Sequence, residues 1–270
     1  MTQFCHLHCH TQYSLLDGAS RIEDMMQKAA QDGQKGVALT DHGNMFGAFK
    51  FVNEAKKAGV KPILGCEFYM VEDRRKTSFA KSKGERDKRY HQLLLAKNKT
   101  GYKNLTKLCS LGFIDGMYGK FPRIDKELIL EYHEGLIATS CCIGAEIPQT
   151  ILHGENEKAE EMVKWWLDLF GEDFYIELQR HRGMDNVTIR NEHNQIIPSG
   201  KSQEDVNQVL LSLAKKYNIK TICTNDSHYV EEEDADPHDV LLCVNTGNLK
   251  NDIKGDGKGE RFAFPSSVFY

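Results

Sequence analysis

The sequence predicts an α/β fold on a largely parallel sheet, open or closed, and two observations carry that expectation. Short apolar runs of strand length alternate with segments of helical spacing along the whole 270-residue chain. No Pro- or Gly-rich linker and no internal repeat splits it, so it reads as a single domain. A third observation points past the fold: residues able to bind metal gather where the predicted strands end, the place where sheets of this class build their sites.

Taken in order, FCHLHC (4–9) opens the chain as a strand, and Ile22, Met25, Met26 and Ala29 mark the first helix. GVALTD (36–41) follows, then a helix marked by Phe46, Phe49, Val52 and Ala55 with Asn44 as its N-cap. KPILGCEFYMV (61–71), HQLLLA (91–96), GLIATS (135–140), FYIELQ (174–179) and IKTICTN (219–225) are further strands, each as apolar as a buried parallel strand should be. Residues 160–170 and 206–217 read as helices, and Trp165 and Trp166 in the first of these read as core packing beside Met162 and Leu169. Two stretches read as loops: the highly charged 72–90, and the polar, Gly-rich 246–261, expected to be mobile.

Composition narrows the partners. A net charge of -4 gives no global pull towards nucleic acid, so any basic contact surface must be local. The start of the chain has no basic segment followed by an apolar one, and no apolar run is long enough to span a bilayer. The expectation is a cytoplasmic protein whose 8 cysteines are reduced and mostly packed as small hydrophobes.

His6, His8 and His10 alternate, so a strand would aim all of them at one face. Buried imidazoles need partners, either metal or a hydrogen-bonded cluster. Other candidate ligands fall near strand ends: Asp17, Asp41 and His42, Glu67, Cys141 and Cys142, and the pair Asp226 and His228. His91 is the exception, because it opens a predicted strand instead of closing one. Mixed imidazole and carboxylate donors with at most one thiolate suit Zn, Mn or Fe, and suit neither an Fe–S cluster nor Ca. The candidates are too many for one tetrahedral ion. Ions sharing bridging carboxylates would use them, and that is equipment for activating water and holding a phosphate oxygen.

HCH at 8–10, TDH at 40–42, the single His91 and DSH at 226–228 together resemble the PHP (polymerase and histidinol phosphatase) superfamily. HTQYSLLDGA, ALTDHGNMFGA, KPILGCEFYM, LLLAKNKTGYKNLTKLCS, EYHEGLIATSCCIGAEIP and TNDSHYV narrow the likeness to the PHP domains of bacterial replicative DNA polymerase III alpha subunits. The resemblance implies a distorted (β/α)7 barrel with up to three divalent ions, Zn or Mn or Fe, at the C-terminal ends of its strands. Carried over position by position, the ligands are His8, His10, Asp17, His42, Glu67, His91, Cys142, Asp226 and His228, and His6 is a residue behind the ligands or in the core. Cys141 stands where the family often has Gly, which leaves open which of the two cysteines reaches the metal.

An intact ligand set implies 3′–5′ exonuclease or phosphoesterase chemistry on DNA by a metal-bound hydroxide, with Asp226 and His228 at the reaction and Arg123 offsetting phosphate charge. The alternatives are a metal-braced scaffold for a polymerase core and, less favoured, a small-molecule phosphatase of the histidinol phosphatase type. The resemblance also implies a piece of a longer chain without its own polymerase site. Its partners would be DNA, the remainder of that chain and replisome subunits, with 246–270 starting the linker to the polymerase core.

Other features have two readings each. Asp41 could orient His42 or cap the next helix. The basic run 74–89 (RRKTSFAKSKGERDKR) is a phosphate-contacting loop or a solvated one. Glu177, Arg180 and His181 are substrate contacts at the site's mouth or ordinary surface residues.

Overall fold

The computed structural model describes residues 4–80, 85–191, 194–255 and 260–270. Its strands are β1 (Gly36–Leu39), β2 (Lys61–Met70), β3 (Tyr90–Ala96), β4 (Arg123–Ile124), β5 (Leu136–Thr139), β6 (Phe174–Leu178), β7 (Thr188–Arg190), β8 (Ile196–Pro198) and β9 (Lys220–Cys223). Its helices are α1 (Ile22–Gln31), α2 (Ala48–Ala58), α3 (Lys99–Ile114), α4 (Lys126–Tyr132), α5 (Glu146–Leu152), α6 (Asn156–Phe170), α7 (Gln203–Tyr217) and α8 (Ala235–Thr246). A 7-stranded sheet runs β1-β2-β3-β5-β6-β9 with β4 beside β2, and β7 and β8 form a separate hairpin.

Residues 4–9 are not a regular strand, contrary to the sequence reading. They are an extended segment shared between the two edges of the sheet. Ala38 N–H donates to the His6 carbonyl (2.8 Å) and Thr40 N–H to that of Cys9 (3.1 Å) on the β1 side. On the other side Ser227 N–H donates to the His8 carbonyl (3.1 Å) and His10 N–H to that of Ser227 (2.7 Å), just past β9. The segment therefore bridges the sheet edges and curls the sheet towards a distorted barrel.

The sheet is not wholly parallel either. β1–β2, β5–β6 and β6–β9 are parallel, but β3 is antiparallel to both β2 and β5. The reason lies in the connection. The segment between β2 and β3 forms no regular helix among its described residues, so the chain returns beside β2 without the crossover that parallel strands need.

Alternation along β2 and β3 separates two environments. Cys66, Phe68, Met70 and Leu94 pack with α3, α4, α6 and α7 in the main core. Leu93 and Leu95 pack instead with Ala38, Cys141, Cys142 and Ala145. With β2 and β3 in register, Tyr69 opposite His91 and Glu67 opposite Leu93, the period of two puts Glu67, Tyr69 and His91 on that second face.

The helices follow their apolar stripes. α1 buries Ile22, Met25, Met26 and Ala29 as expected. α7 starts at a capping box between Ser202 and Asp205, and Trp166 of α6 is 2% exposed in the core. α2 differs from its expected phase: it buries Ala48, Phe51 and Ala55 and leaves Phe49 83% exposed. Asn44 does not cap it; its Oδ1 accepts from Phe46 N–H in the loop ahead of the helix. The expectation that 246–261 is mobile meets a fixed point at its end. Arg261 is buried and forks onto both carboxylate oxygens of Asp239 (2.6 and 2.8 Å), while residues 256–259 lie outside the described set.

Candidate metal centre

Glu67 stands at the middle of the site. Its Oε1 lies 3.2 Å from His8 Nε2 and 3.0 Å from His91 Nδ1. Its Oε2 lies 2.7 Å from His42 Nδ1 and 3.3 Å from His10 Nε2. Asp226 Oδ1 approaches His8 Nε2 at 3.3 Å and His10 Nε2 at 3.2 Å. Asp17 Oδ2 approaches His42 Nε2 at 2.8 Å and His228 Nε2 at 3.3 Å. Both neighbouring thiols reach Glu67 Oε1, Cys141 at 3.4 Å and Cys142 at 3.3 Å, and Cys142 Sγ also lies 3.4 Å from His91 Nδ1. Residues from position 8 to position 228 thus meet in one cluster. His91 joins it because β3 runs antiparallel, which brings its first residues to the end where its neighbours finish.

The chemistry of the donor set fits divalent ions. His8 Nε2, His10 Nε2, His42 Nδ1, Glu67 Oε2 and Asp226 Oδ1 are all buried, and although they crowd together none has a partner in hydrogen-bonding geometry. Buried polar atoms are rarely left so, and here the orphans face each other. Overlapping trios whose donor atoms lie within 4.8 Å of one another repeat the pattern: His10, His42 and His228; His8, His10 and Asp226; His8, Glu67 and Cys141; His42, Glu67 and His91.

Further residues fix which nitrogen faces the cluster. Glu177 is 1% exposed, and its Oε1 lies 2.7 Å from His8 Nδ1. That carboxylate also accepts from Thr224 (2.5 Å), Thr139 (2.5 Å) and Gln179 (3.0 Å). Asp41 accepts from Thr11 N–H and from the Ser14 hydroxyl (2.8 Å), whose oxygen lies 2.9 Å from His10 Nδ1. His228 Nδ1 lies 2.7 Å from the Asp226 carbonyl. Nδ1–H is the donor in each case, so Nε2 of His8, His10 and His228 is the nitrogen turned to the cluster and the one that would meet an ion.

The electrostatics are those of a mutually compensated net. Burial opposes charge on His8, but Asp226, Glu177 and Glu67 outweigh it and hold its pKa well above the ordinary value. Burial likewise opposes charge on His91, and Glu67 with Cys142 raises it. Burial works against the Glu67 carboxylate too, yet His91, His42 and His8 hold its pKa well below the usual range. The two thiols part company. Burial drives Cys141 well up, while a hydrogen bond from Cys141 and the nearby His91 bring Cys142 down. Cys141 also takes a left-handed backbone (φ 59), as does Asp226 (φ 50), a conformation costly for a side chain and typical of sites.

The cluster forms part of the lining of a cavity of about 1070 Å³, on which Asp17, His42, His91, Cys142, Asp226 and His228 open. His181 lines it as well but is spoken for: its Nε2 lies 2.8 Å from the Asn225 carbonyl and its ring stacks on Phe269 at 3.9 Å. Three readings of the sequence are corrected. Arg123 does not face substrate; it is fully buried, and its guanidinium donates to the carbonyls of Gly116, Arg74 and Lys76 and to Asp87 (2.7 Å). Arg180 is exposed and paired with Glu204 at 3.0 Å on the wall of a different cavity. Glu177 lies beneath His8 instead of at the mouth. His6 is half-buried with its Nδ1 3.2 Å from Ser227 Oγ, outside the cluster. Thr11, Ser14, Thr139, Gln179 and Thr224 carried no signal in the sequence, because hydroxyls and amides are common everywhere and only proximity gives them this role.

Known proteins resemble this chain in sequence and in fold. Residues 6–181 match the family model described as PHP domain. The chain is 46% identical over 253 residues to the DNA polymerase III subunit alpha of Borreliella burgdorferi, covering 93% of this chain and 20% of that protein. It is 42% identical over 270 residues to the subunit of the same name from Thermus aquaticus, covering 99% and 20%. The chain thus spans about a fifth of the length of these relatives. A crystal structure of a candidate metal-dependent phosphoesterase from Bifidobacterium adolescentis superposes with a TM-score of 0.50 at 14% identity, over 84% of this chain and 88% of that one, which is a likeness of fold. Among the described residues no helix is long and apolar enough to cross a membrane. With the family model covering most of the chain and the fold agreeing, the chain belongs to the PHP domain family.

Proposed function

We propose that this chain is the PHP module of a replicative DNA polymerase III alpha subunit and that its cluster is a metal-dependent phosphoesterase centre acting on the 3′ end of DNA. The observation that carries the reading is the set of orphaned, buried donor atoms beside an open cavity. Structural metal sites are closed, whereas catalytic ones keep an open side. His8, His10, Asp17, His42, Glu67, His91, Cys142, Asp226 and His228 would hold up to three divalent ions, Zn, Mn or Fe by donor type. Bound there, such ions activate water and offset the charge on a phosphate oxygen.

The chain's own residues do the rest. Glu67 presents one oxygen to His8 and His91 and the other to His10 and His42, the posture of a bridging ligand. Glu177 and the Asp41–Ser14 pair hold His8 and His10 in one tautomer. Asp226 and His228 line the cavity. His228 has Nδ1 at the Asp226 carbonyl and Nε2 turned to the cluster, so of the two it is the Asp226 carboxylate that would take the proton released when water attacks phosphorus. Residues 246–270 would begin the connection to the polymerase core. DNA and the remainder of a longer chain with its replisome subunits are the partners.

The test is hydrolysis of a 5′-labelled single-stranded oligonucleotide with Mn²⁺ or Zn²⁺. Stepwise shortening, abolished by EDTA and by Asp226→Asn, is the expected result. A folded, metal-loaded chain that leaves the strand and simple phosphodiesters intact would overturn it in favour of a metal-braced scaffold.

A further inference from the structure

The cavity has a wall that the metal cluster does not use. From His42 and His91 a run of rings leads outward: Tyr69 stacks on His42 (5.6 Å, 22°) and meets His91 at 5.7 Å, and Phe121 packs edge-on against Tyr69 at 5.0 Å. The Arg89 guanidinium sits 3.7 Å over the Phe121 ring. Buried Arg123 holds this arrangement from behind. It binds Asp87 at 2.7 Å, and Asp87 in turn pairs with Arg89. Tyr69, Phe121, Arg86 and Arg89 all line the cavity.

Arg86 is the telling member. The other described cations of the basic run are matched or stand off the cavity: Arg74 pairs with Asp125, Arg75 with Glu127, Lys76 with Glu85 and Arg89 with Asp87, while Lys88 is exposed and does not line it. Lys81 and Lys83 lie outside the described residues. Arg86 has no acidic or hydrogen-bonding partner among the described residues, is half-buried, and is near a second cation, Arg190. A guanidinium held in a cavity wall without an acid is arranged for an incoming anion, and its planar fork suits phosphate. Aromatic faces next to a phosphate-binding cation are the pattern by which proteins hold single strands, with rings for the bases and charge for the backbone.

We propose that Tyr69, Phe121, Arg86 and Arg89 form a subsite for a single-stranded polynucleotide entering the cavity, with Arg86 on a backbone phosphate and the Phe121 ring, braced edge-on by Tyr69, against a base. This rests on the phosphoesterase reading and names the part of the substrate the metal ions would not touch. It also assigns Arg123 its place, as the buried anchor of the wall.

The test is fluorescence anisotropy of a labelled oligonucleotide with a 3′-terminal phosphorothioate, titrated into the Mn²⁺-loaded chain across a salt series. Arg86→Ala is expected to weaken binding about tenfold and to flatten the slope of log K against log salt by about 0.7, the share of one single-strand phosphate contact. Arg75→Ala removes the same charge from the same loop but outside the cavity, and should leave the slope alone. Phe121→Leu should weaken binding without changing the slope, and Phe121→Trp should preserve it, because stacking carries no counterion release. An Arg86→Ala slope equal to that of the unaltered chain, or equal flattening by Arg75→Ala, overturns the subsite. Hydrolysis of bis(p-nitrophenyl) phosphate, which has no strand to bind, reports separately on the centre. Equal turnover by both chains there, with strand binding lost only in Arg86→Ala, supports the subsite, and a chain that turns over this ester but binds no strand overturns it while leaving the phosphoesterase centre standing.

Discussion

Glu177 Oε1 lies 2.7 Å from His8 Nδ1, and both side chains are wholly buried. The carboxylate sets the tautomer of His8 and raises the basicity of the nitrogen that faces Glu67 and Asp226. Glu177→Gln keeps the shape and loses the charge. It should weaken metal binding by about 10–100-fold, read by competition with a chelating dye. Unchanged affinity in a folded variant would show that Glu177 only fills space.

Cys141 and Cys142 are separable by backbone. Cys141 has φ 59, which glycine adopts freely, and burial holds its thiol well above the ordinary pKa. Cys142 is shifted the other way and touches His91, and the thiolate is the form that binds metal. Cys141→Gly should therefore keep the metal content, while Cys142→Ser should lower it, both measured by elemental analysis. The reverse result would make Cys141 the ligand.

His238 donates from Nε2 to the Asp17 carbonyl at 2.7 Å and is 1% exposed. Burial, with His228 alongside, pushes its pKa down to about 4. Below the unfolded value of about 6.5 the unfolded chain binds the extra proton first, so this site's stabilisation is complete above that pH and drains away as pH falls towards about 4. The ceiling on the effect is roughly 3 kcal/mol. In urea titrations at neutral pH and near about pH 5, His238→Gln should lose less stability between the two than the unaltered chain. Parallel losses would exclude the linkage.

Gly101 and Gly135 meet where α3 begins. A Cβ at Gly101 would lie 1.7 Å from the Gly135 carbonyl oxygen, and that carbonyl already accepts from Lys97 N–H at 2.9 Å. Since the clash is with backbone, no rotamer relieves it. Gly101→Ala should destabilise the chain by about 3 kcal/mol, the upper end of overpacking costs, seen as a lower urea midpoint at unchanged slope. A loss under about 1 kcal/mol would mean the two segments part easily.

The α/β class, the stripe of α1 and the helix cores of α6 and α7 were legible in the chain because periodicity is local. Residue chemistry supplied candidate ligands near strand ends, and the family resemblance picked from them the group that meets around Glu67. Tertiary structure decided the rest. His91 seemed to open its strand at the wrong end, and only the pairing of β3 against β2 and β5, a non-local choice, brings it to the cluster. Phe49 fits a helical stripe on paper, but which side of α2 meets the sheet depends on the sheet, and Phe51 faces inward instead. Arg123 reads as a free cation until the chain brings Asp87 and the carbonyls of Gly116, Arg74 and Lys76 around it. Glu177 is one acidic residue among many until folding buries it under His8. Sequence states what a residue can do, and position in three dimensions selects its partner, because hydrogen bonds and ion pairs act over a few ångströms whatever the separation along the chain.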